Sequence, residues 1–421
     1  MNELERARAQ QRVLRVLTAG QIIGAAALAA AVTVGAFVIQ EILGQDTSWG
    51  GIATATVTVG TAVMAQVLSR HMLRRGRRPG LQFGYLMAAF GAIVAAFGAE
   101  HGQLLTFVIG LFFFGSGQAS NLLARYAATD LAEEDHRSRA MSRIVFASTF
   151  GAVFGPLMIG PAQAAGQDWF GWEKYTGPWV LAACTLTAAF VSTTIFLRPD
   201  PLVLIGGLRT DKSEKLPSVA EALRIIMSTA TGRLALAAMV ISQVVMVAVM
   251  TMTPVHMKQH GQESLSQYVI SLHIAGMFAF SPLVGRFADK YGRQLTILVG
   301  AGILLSSTLM AAVSGGYELL LFPALWLLGV GWNFGLIGGS SLLIESVPVS
   351  KRVTVQGAAD LMMSFCGGMA GLASGFVRRA VGYHMLSNFG TLAAGALLIA
   401  AYMLFRSGTE RMKKDDVEYA L

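Results

Sequence analysis

The sequence predicts an all-α membrane protein in which twelve transmembrane helices form two six-helix, pseudo-symmetric bundles. Three observations carry that prediction. The chain is 54% hydrophobic and 13% charged, it contains twelve apolar runs of membrane-crossing length, and a loop pattern recurs at a near-constant displacement. A soluble chain of 421 residues needs about a quarter of its side chains charged. The shortage, with a mean hydropathy of +0.57, excludes disorder, a coiled coil and the ordinary cytosolic enzyme.

A membrane crossing takes about 20 apolar residues. Stretches near 16–39, 50–69, 80–98, 104–129, 141–162, 177–197, 234–256, 266–285, 294–313, 319–344, 355–377 and 385–405 meet that requirement. The polar segment 1–15 precedes the first bundle (16–197), a linker (198–233) precedes the second (234–405), and 406–421 form a tail. Arg6, Arg8, Arg12 and Arg15 lie ahead of an apolar run with no small-residue cleavage site, which does not read as a signal peptide.

An even number of crossings puts both termini on one side, and that side carries 28 of the 32 Lys and Arg residues. The bias marks it as cytoplasmic and predicts a multi-pass protein of the plasma (inner) membrane. The net charge of +8 is then a topology marker. No basic stripe with interleaved aromatics points to nucleic acid, so the partners expected are the lipid bilayer and a small-molecule or metal-ion substrate, with the protein a monomer. The two cysteines, Cys184 and Cys366, lie in apolar stretches and form no CxxC pair.

The linker holds Pro199, Pro201, Pro217 and the polar run Arg209 to Lys215, and from Ser218 to Ile226 its apolar positions fit an amphipathic helix on the inner membrane face. The loop after the eighth span reads Gly285-Arg-Phe-Ala-Asp289-Lys-Tyr-Gly292-Arg293, and the loop after the second reads Ser69 to Arg77, displaced by 216 residues. Asp130 and Arg137 recur as Glu345 and Arg352, displaced by 215. Offsets that agree to one residue imply two parallel repeats about an axis along the membrane normal.

This loop pattern resembles the signature of the major facilitator superfamily, and with the spans and the central loop the resemblance covers essentially the whole chain. It implies a secondary transporter. Gly285 permits close helix contact, Asp289 can meet a helix N-terminus or a basic partner, and Arg293 can pair with Glu345. Gly292 completes the motif. The first copy has Ser69 for glycine and Leu73 for aspartate, which leaves Arg77 with Asp130 as the pair there and predicts an asymmetric latch. Gly151-x3-Gly155-Pro156 and Gly160-Pro161 resemble the antiporter motif of the superfamily, and small residues at this spacing equally let helices approach closely.

Substrate sites in such carriers lie near the midplane between the halves. Carboxylates are expected only at span ends: Glu41, Glu100 and Glu318 outside, and Asp130, Glu345 and Asp360 at or near the inner ends. The ionisable residue placed deep is His273. Span 7 holds Met246 and Met250 and span 8 holds His273 and Met277, each pair on one helical face. The antiparallel pairs Met246/Met277 and Met250/His273 centre on the same point, Gly261–Gln262, so they lie at matching depths. Thioether sulfur and imidazole nitrogen are soft to borderline ligands that suit Cu(I). Within the superfamily the pattern resembles the CcoA-like (CalT) copper importers, which carry MxxxM in span 7 and HxxxM in span 8. That resemblance implies Met246, Met250, His273 and Met277 as ligands and movement of copper, as transported substrate rather than bound cofactor, into the cytoplasm.

Met362, Cys366 and Met369 on span 11 have relay spacing, and His256 and His260 beyond Pro254 are placed to collect a metal before the deeper site. Methionine is also common core filler. The relatives of this subgroup include riboflavin-type carriers. For an organic solute, or for proton-linked drug efflux, Trp332 and Asn333 in Gly331-Trp332-Asn333-Phe334 are the residues to stack on or hydrogen-bond the ligand. No P-loop or catalytic serine or cysteine motif points to an enzyme.

Overall fold

A computed structural model of the chain describes residues 3–43, 52–208, 218–315 and 317–418. The polar run Arg209 to Lys215 and Pro217 fall outside these. The described residues are helical and connected by short turns. The first half comprises α1 (Glu3–Leu43), α2 (Ile52–Arg75), α3 (Arg77–Glu100), α4 (Leu104–Ala127), α5 (Arg137–Leu157) continued by α6 (Ile159–Phe170), and α7 (Thr176–Phe196). Short α8 (Pro201–Leu204) and α9 (Val219–Met227) connect it to α10 (Ala230–Gln259), α11 (Glu263–Phe278) continued by α12 (Ser281–Tyr291), α13 (Arg293–Val313), α14 (Leu321–Glu345) and α15 (Val349–Glu418). Ten stretches are long and apolar enough to cross a membrane. The last of these, Val349–Ser407, holds spans 11 and 12, with a non-helical turn at Gly382 (φ 86°). With α1 the crossings number twelve, in two six-span halves, each with its own apolar core.

The helices depart from the hydropathy boundaries where polarity or proline intervenes. α1 starts at Glu3, because Glu, Arg, Ala and Gln are good helix formers although they give no apolar signal. Its polar first turns rest on the ends of neighbouring spans: Arg6 Nε donates to the Leu131 carbonyl at 2.9 Å, and Gln10 Nε2 to that of Ala128 at 2.7 Å. Pro156 lacks an N–H and crowds the preceding turn, and span 5 breaks just after it, at Met158. Span 8 breaks before Pro282, which starts the first turn of α12. Ser218 caps α9 by accepting from the Glu221 N–H at 3.1 Å, a Ser-x-x-Glu start, and Ala222 and Ile226 are the buried side of that helix.

The repeat seen in the loops is visible in the backbone. Gly76 and Gly292, the repeat-related residues before α3 and α13, both have positive φ (104° and 91°), a conformation that glycine adopts without a Cβ clash. The halves meet through α2 against the span-11 part of α15, and through α5 against α12. Among the described residues, every direct polar link between halves lies in the part of the molecule that carries the basic loops, called here the basic face.

Candidate functional site

Contacts on either side of α10 fix which way its side chains turn. Ser242 and Met239 lie against Gly335 and Gly339 of α14, and Val247 lies against Gly371 of α15. Gln243, Met246 and Met250 fall between those two directions. On span 8, Gly276 packs on the backbone of Trp326 and Val330, and further along Gly285 packs on Ser142 of α5 in the other half. The backbone of His273 and Met277 meets Gly329 of α14, and the two residues lie one turn apart along α11. Met246 is buried, while Met250 and Met277 are half-buried and pack on the same second-half core.

His273 is fully buried. Its Nδ1 lies 2.8 Å from the carbonyl oxygen of Leu325. A carbonyl can only accept, so Nδ1 carries the proton and Nε2 presents a lone pair. That Nε2 is buried without a hydrogen-bond partner. Anchoring one ring nitrogen on a carbonyl and leaving the other bare is how proteins orient metal-binding histidines.

One turn from Met246 toward the basic face, Trp332 Nε1 donates to Gln243 Oε1 at 2.6 Å, and Phe278 meets the indole edge-on with centroids 5.8 Å apart. Asn333 is committed elsewhere, since its Nδ2 donates to Ser281 Oγ at 3.0 Å and ties α14 to α12. Of the span-11 residues, Met369 sits on the exposed stripe with Phe365, Leu372 and Phe376, opposite the face where Gly367 meets Gln243. Met362 and Cys366 are half-buried toward the same side. The three therefore do not continue the Met/His face as a relay, because the four-residue spacing fixes a helix face without fixing which way it points.

At the far end of α10 the structure adds His384 to the His256 and His260 pair. The buried His256 ring lies 4.3 Å from that of His260 and 5.4 Å from that of His384, and it stacks on Tyr383 at 4.3 Å. His260 and His384 each place Nδ1 on a backbone carbonyl, of His256 at 2.9 Å and of Ala312 at 2.8 Å. The turn at Gly382 brings His384 here, and no local spacing in the sequence signals it.

Toward the basic face three ionic layers close the path between the halves. In the first half Arg77 makes a bidentate pair with Asp130 (2.8 and 3.0 Å) and reaches across to Gln356 Oε1 at 2.9 Å. Burial raises the Asp130 carboxyl pKa and the Arg77 guanidinium opposes that rise. In the second half Arg293 lies 2.9 Å from Glu345 and donates to the Glu134 carbonyl at 2.6 Å. Asp289 accepts from the Ser138 and Arg139 N–H groups at 3.0 and 2.9 Å, so it caps α5 of the opposite half. Leu73, its repeat mate, is a buried apolar contact. The third layer is Arg125 with Asp360, buried and 2.5 Å apart. Asp360 stands eleven residues beyond the start of α15 at Val349, deep in the helix rather than at its end.

Two six-span halves, joined on one face around a polar axis, define a transporter of the alternating-access kind. The profile described as Major Facilitator Superfamily matches residues 17–372 and, in an overlapping match, 234–418. The chain is 37% identical over 406 residues to the uncharacterized MFS-type transporter YddS of Bacillus subtilis (strain 168), covering 95% of this chain and 92% of that protein. It is 27% identical over 359 residues to the riboflavin transporter RfnT of Brucella anthropi, covering 85% and 86%. Its fold matches the crystal structure of the human organic anion transporter MFSD10 (TETRAN) with a TM-score of 0.74 at 16% identity, over 94% and 99% of the two chains. The chain belongs to the major facilitator superfamily, as a multi-pass secondary transporter.

Proposed function

We propose that this carrier imports copper through Met246, Met250, His273 and Met277, with both termini in the cytoplasm of the cell that holds it in its inner membrane. The observation that carries the reading is His273, whose Nδ1–H is fixed on Leu325 and whose Nε2 lone pair is buried and unpartnered. An imidazole left this way is a ligand awaiting an electrophile, and Met277, one turn along the same helix, with the Met246 and Met250 face of α10, would select a soft one. The carrier acts as a monomer, and copper is its cargo.

Uptake of copper by cells expressing the parent, Met246→Ala, Met250→Ala, His273→Ala or Met277→Ala tests this. Loss of a ligand or of its support costs about ten- to a hundred-fold in metal affinity, so uptake at limiting copper is expected to fall by that order in the His273 and Met250 variants. Equal copper content in all five strains, with equal protein in the membrane, overturns the reading.

A second reading rests on a separate observation. The Trp332–Gln243–Phe278 group offers an aromatic face and an amide at mid-span, which suits a flat organic solute, and one relative is named a riboflavin transporter. Riboflavin uptake abolished by Trp332→Ala but untouched by Met250→Ala favours this reading over copper.

A further inference from the structure

Of all the carboxylates among the described residues, Asp360 is the one buried more than two turns inside a spanning helix. Its partner comes from the other half: Arg125 Nη2 donates to Asp360 Oδ1 at 2.5 Å, and both Nε and Nη2 of Arg125 reach Ser340 Oγ at 3.3 Å. Arg125 and Ser340 are repeat mates, 215 residues apart. Two residues related by a two-fold operation touch each other only next to its axis, so this pair stands on the central axis, below the Trp332 layer. The repeat mates of Arg125 and Asp360 are Ser340 and Val145, both neutral, which makes it a single site in an otherwise duplicated structure.

We propose that Asp360 is a proton-binding site whose protonation releases Arg125 and lets the basic face open, so that the proton is the coupling ion of this carrier. The inference rests on the transporter reading and is independent of the cargo. When the halves part at the basic face, Arg125 leaves with α4 while Asp360 and Ser340 stay with the second half. Parting an ion pair held in low dielectric is costly when both charges remain. Taking one proton from water converts the carboxylate to a neutral acid and removes that cost at Asp360. Arg125 keeps other contacts on its own helix, donating to the Leu122 carbonyl and to Tyr126 Oη at 3.2 Å and lying 4.4 Å from the Tyr126 ring. The ionisable groups that face Asp360 are Arg125 and Tyr126 of α4; α14 presents the neutral Ser340, and α2 and α10 set no charged group against it.

Spin labels at Arg74→Cys and Lys290→Cys, exposed at the basic ends of spans 2 and 8, report the separation of the halves in full-length protein reconstituted in lipid nanodiscs, with Cys184→Ser and Cys366→Ser in the background. Pulsed electron resonance at pH 8 and pH 5, with no cargo added, is expected to show the long-distance population rising at least five-fold at the lower pH. Asp360→Asn is expected to hold that population high at both pH values, and Asp360→Glu to keep the response. The exposed Glu133, Asp135 and His136 cluster also lies at this face, and Asp360→Asn leaves it in place. A pH response in Asp360→Asn equal to the parent's, no response in the parent, or an Asp360→Asn protein closed at both pH values each overturns the proposal. None of these outcomes bears on copper uptake, so the two readings fail separately.

Discussion

Arg77 is fully buried, and its guanidinium is divided among Asp130, Gln356 and the sulfur of Met72. Removing one partner of such a pair leaves a charge in low dielectric without its counter-charge, at a cost of roughly 3–5 kcal/mol. Arg77→Ala is therefore expected to lower the midpoint of thermal unfolding in detergent far more than Arg137→Ala, whose ionic partner Glu134 is exposed. Arg77→Lys recovers part of the loss only, because an ammonium cannot reproduce the two-pronged contact. Equal stability of Arg77→Ala and Arg137→Ala contradicts this. At this scale legibility followed the repeat. Arg77 with Asp130 and Arg293 with Glu345 stand at offsets that agree to one residue in the two halves, so the sequence displays both pairs. Gln356 and the Arg125–Asp360 pair join positions 279 and 235 residues apart across the halves, and nothing local announces them. Asp360 is further obscured because the apolar run begins near residue 355, which puts it close to an end, whereas the helix starts at Val349.

The elements that join the halves show how a repeat can be kept in shape while its residues change. Gly285 of span 8 packs on Ser142 of span 5, and Ser69 of span 2 packs on Gly357 of span 11. Ser69 and Gly285 are repeat mates, and so are Ser142 and Gly357. The serine that replaces the motif glycine in the first copy is thus compensated by a glycine on the facing helix, and close approach survives in both places. It follows that Gly285→Ser alone should loosen the α5–α12 contact, since a side chain at 285 meets Ser142 and the Ser138 carbonyl. Adding Ser142→Gly, which copies the first-half arrangement, should restore most of the lost stability. Melting of the single and double variants measures this, and a double variant no better than Gly285→Ser refutes the compensation. The sequence displayed the missing glycine and could not display its counterpart, because which helices face each other is a property of the assembled bundle. The small residues of span 5 illustrate the same limit: Gly151 packs on the backbone of α1, a close-approach role that needs no coupling chemistry.

At the scale of the whole molecule, the twelve crossings and the two-fold repeat were legible because both are periodic in the sequence, while the layering along the axis arises only when the halves meet. From Met250 and His273 the path toward the basic face runs past Met246 and Met277, then Trp332 with Gln243, then Arg125 with Asp360, and last the two rim pairs. A site above three closed ionic layers can deliver its cargo only if the halves part at that face, because two of those layers, Arg77 with Gln356 and Arg125 with Asp360, and the Asp289 cap on α5 all link one half to the other. Ser138 of α5 and Ser341 of α14 test this requirement directly. Their hydroxyl oxygens lie 3.1 Å apart across the interface, and the short reach of a disulfide suits such a pair. With Cys184→Ser and Cys366→Ser, the Ser138→Cys/Ser341→Cys protein is expected to lose uptake of the parent's cargo, copper or riboflavin, by more than ten-fold when oxidised and to regain it under reductant. Each single cysteine variant should transport normally under both conditions, which separates cross-linking from damage to the hydroxyl contact. Sustained uptake by a fully cross-linked protein would mean that cargo leaves without separation of α5 from α14, and the rocking of one half against the other would have to be abandoned for this chain.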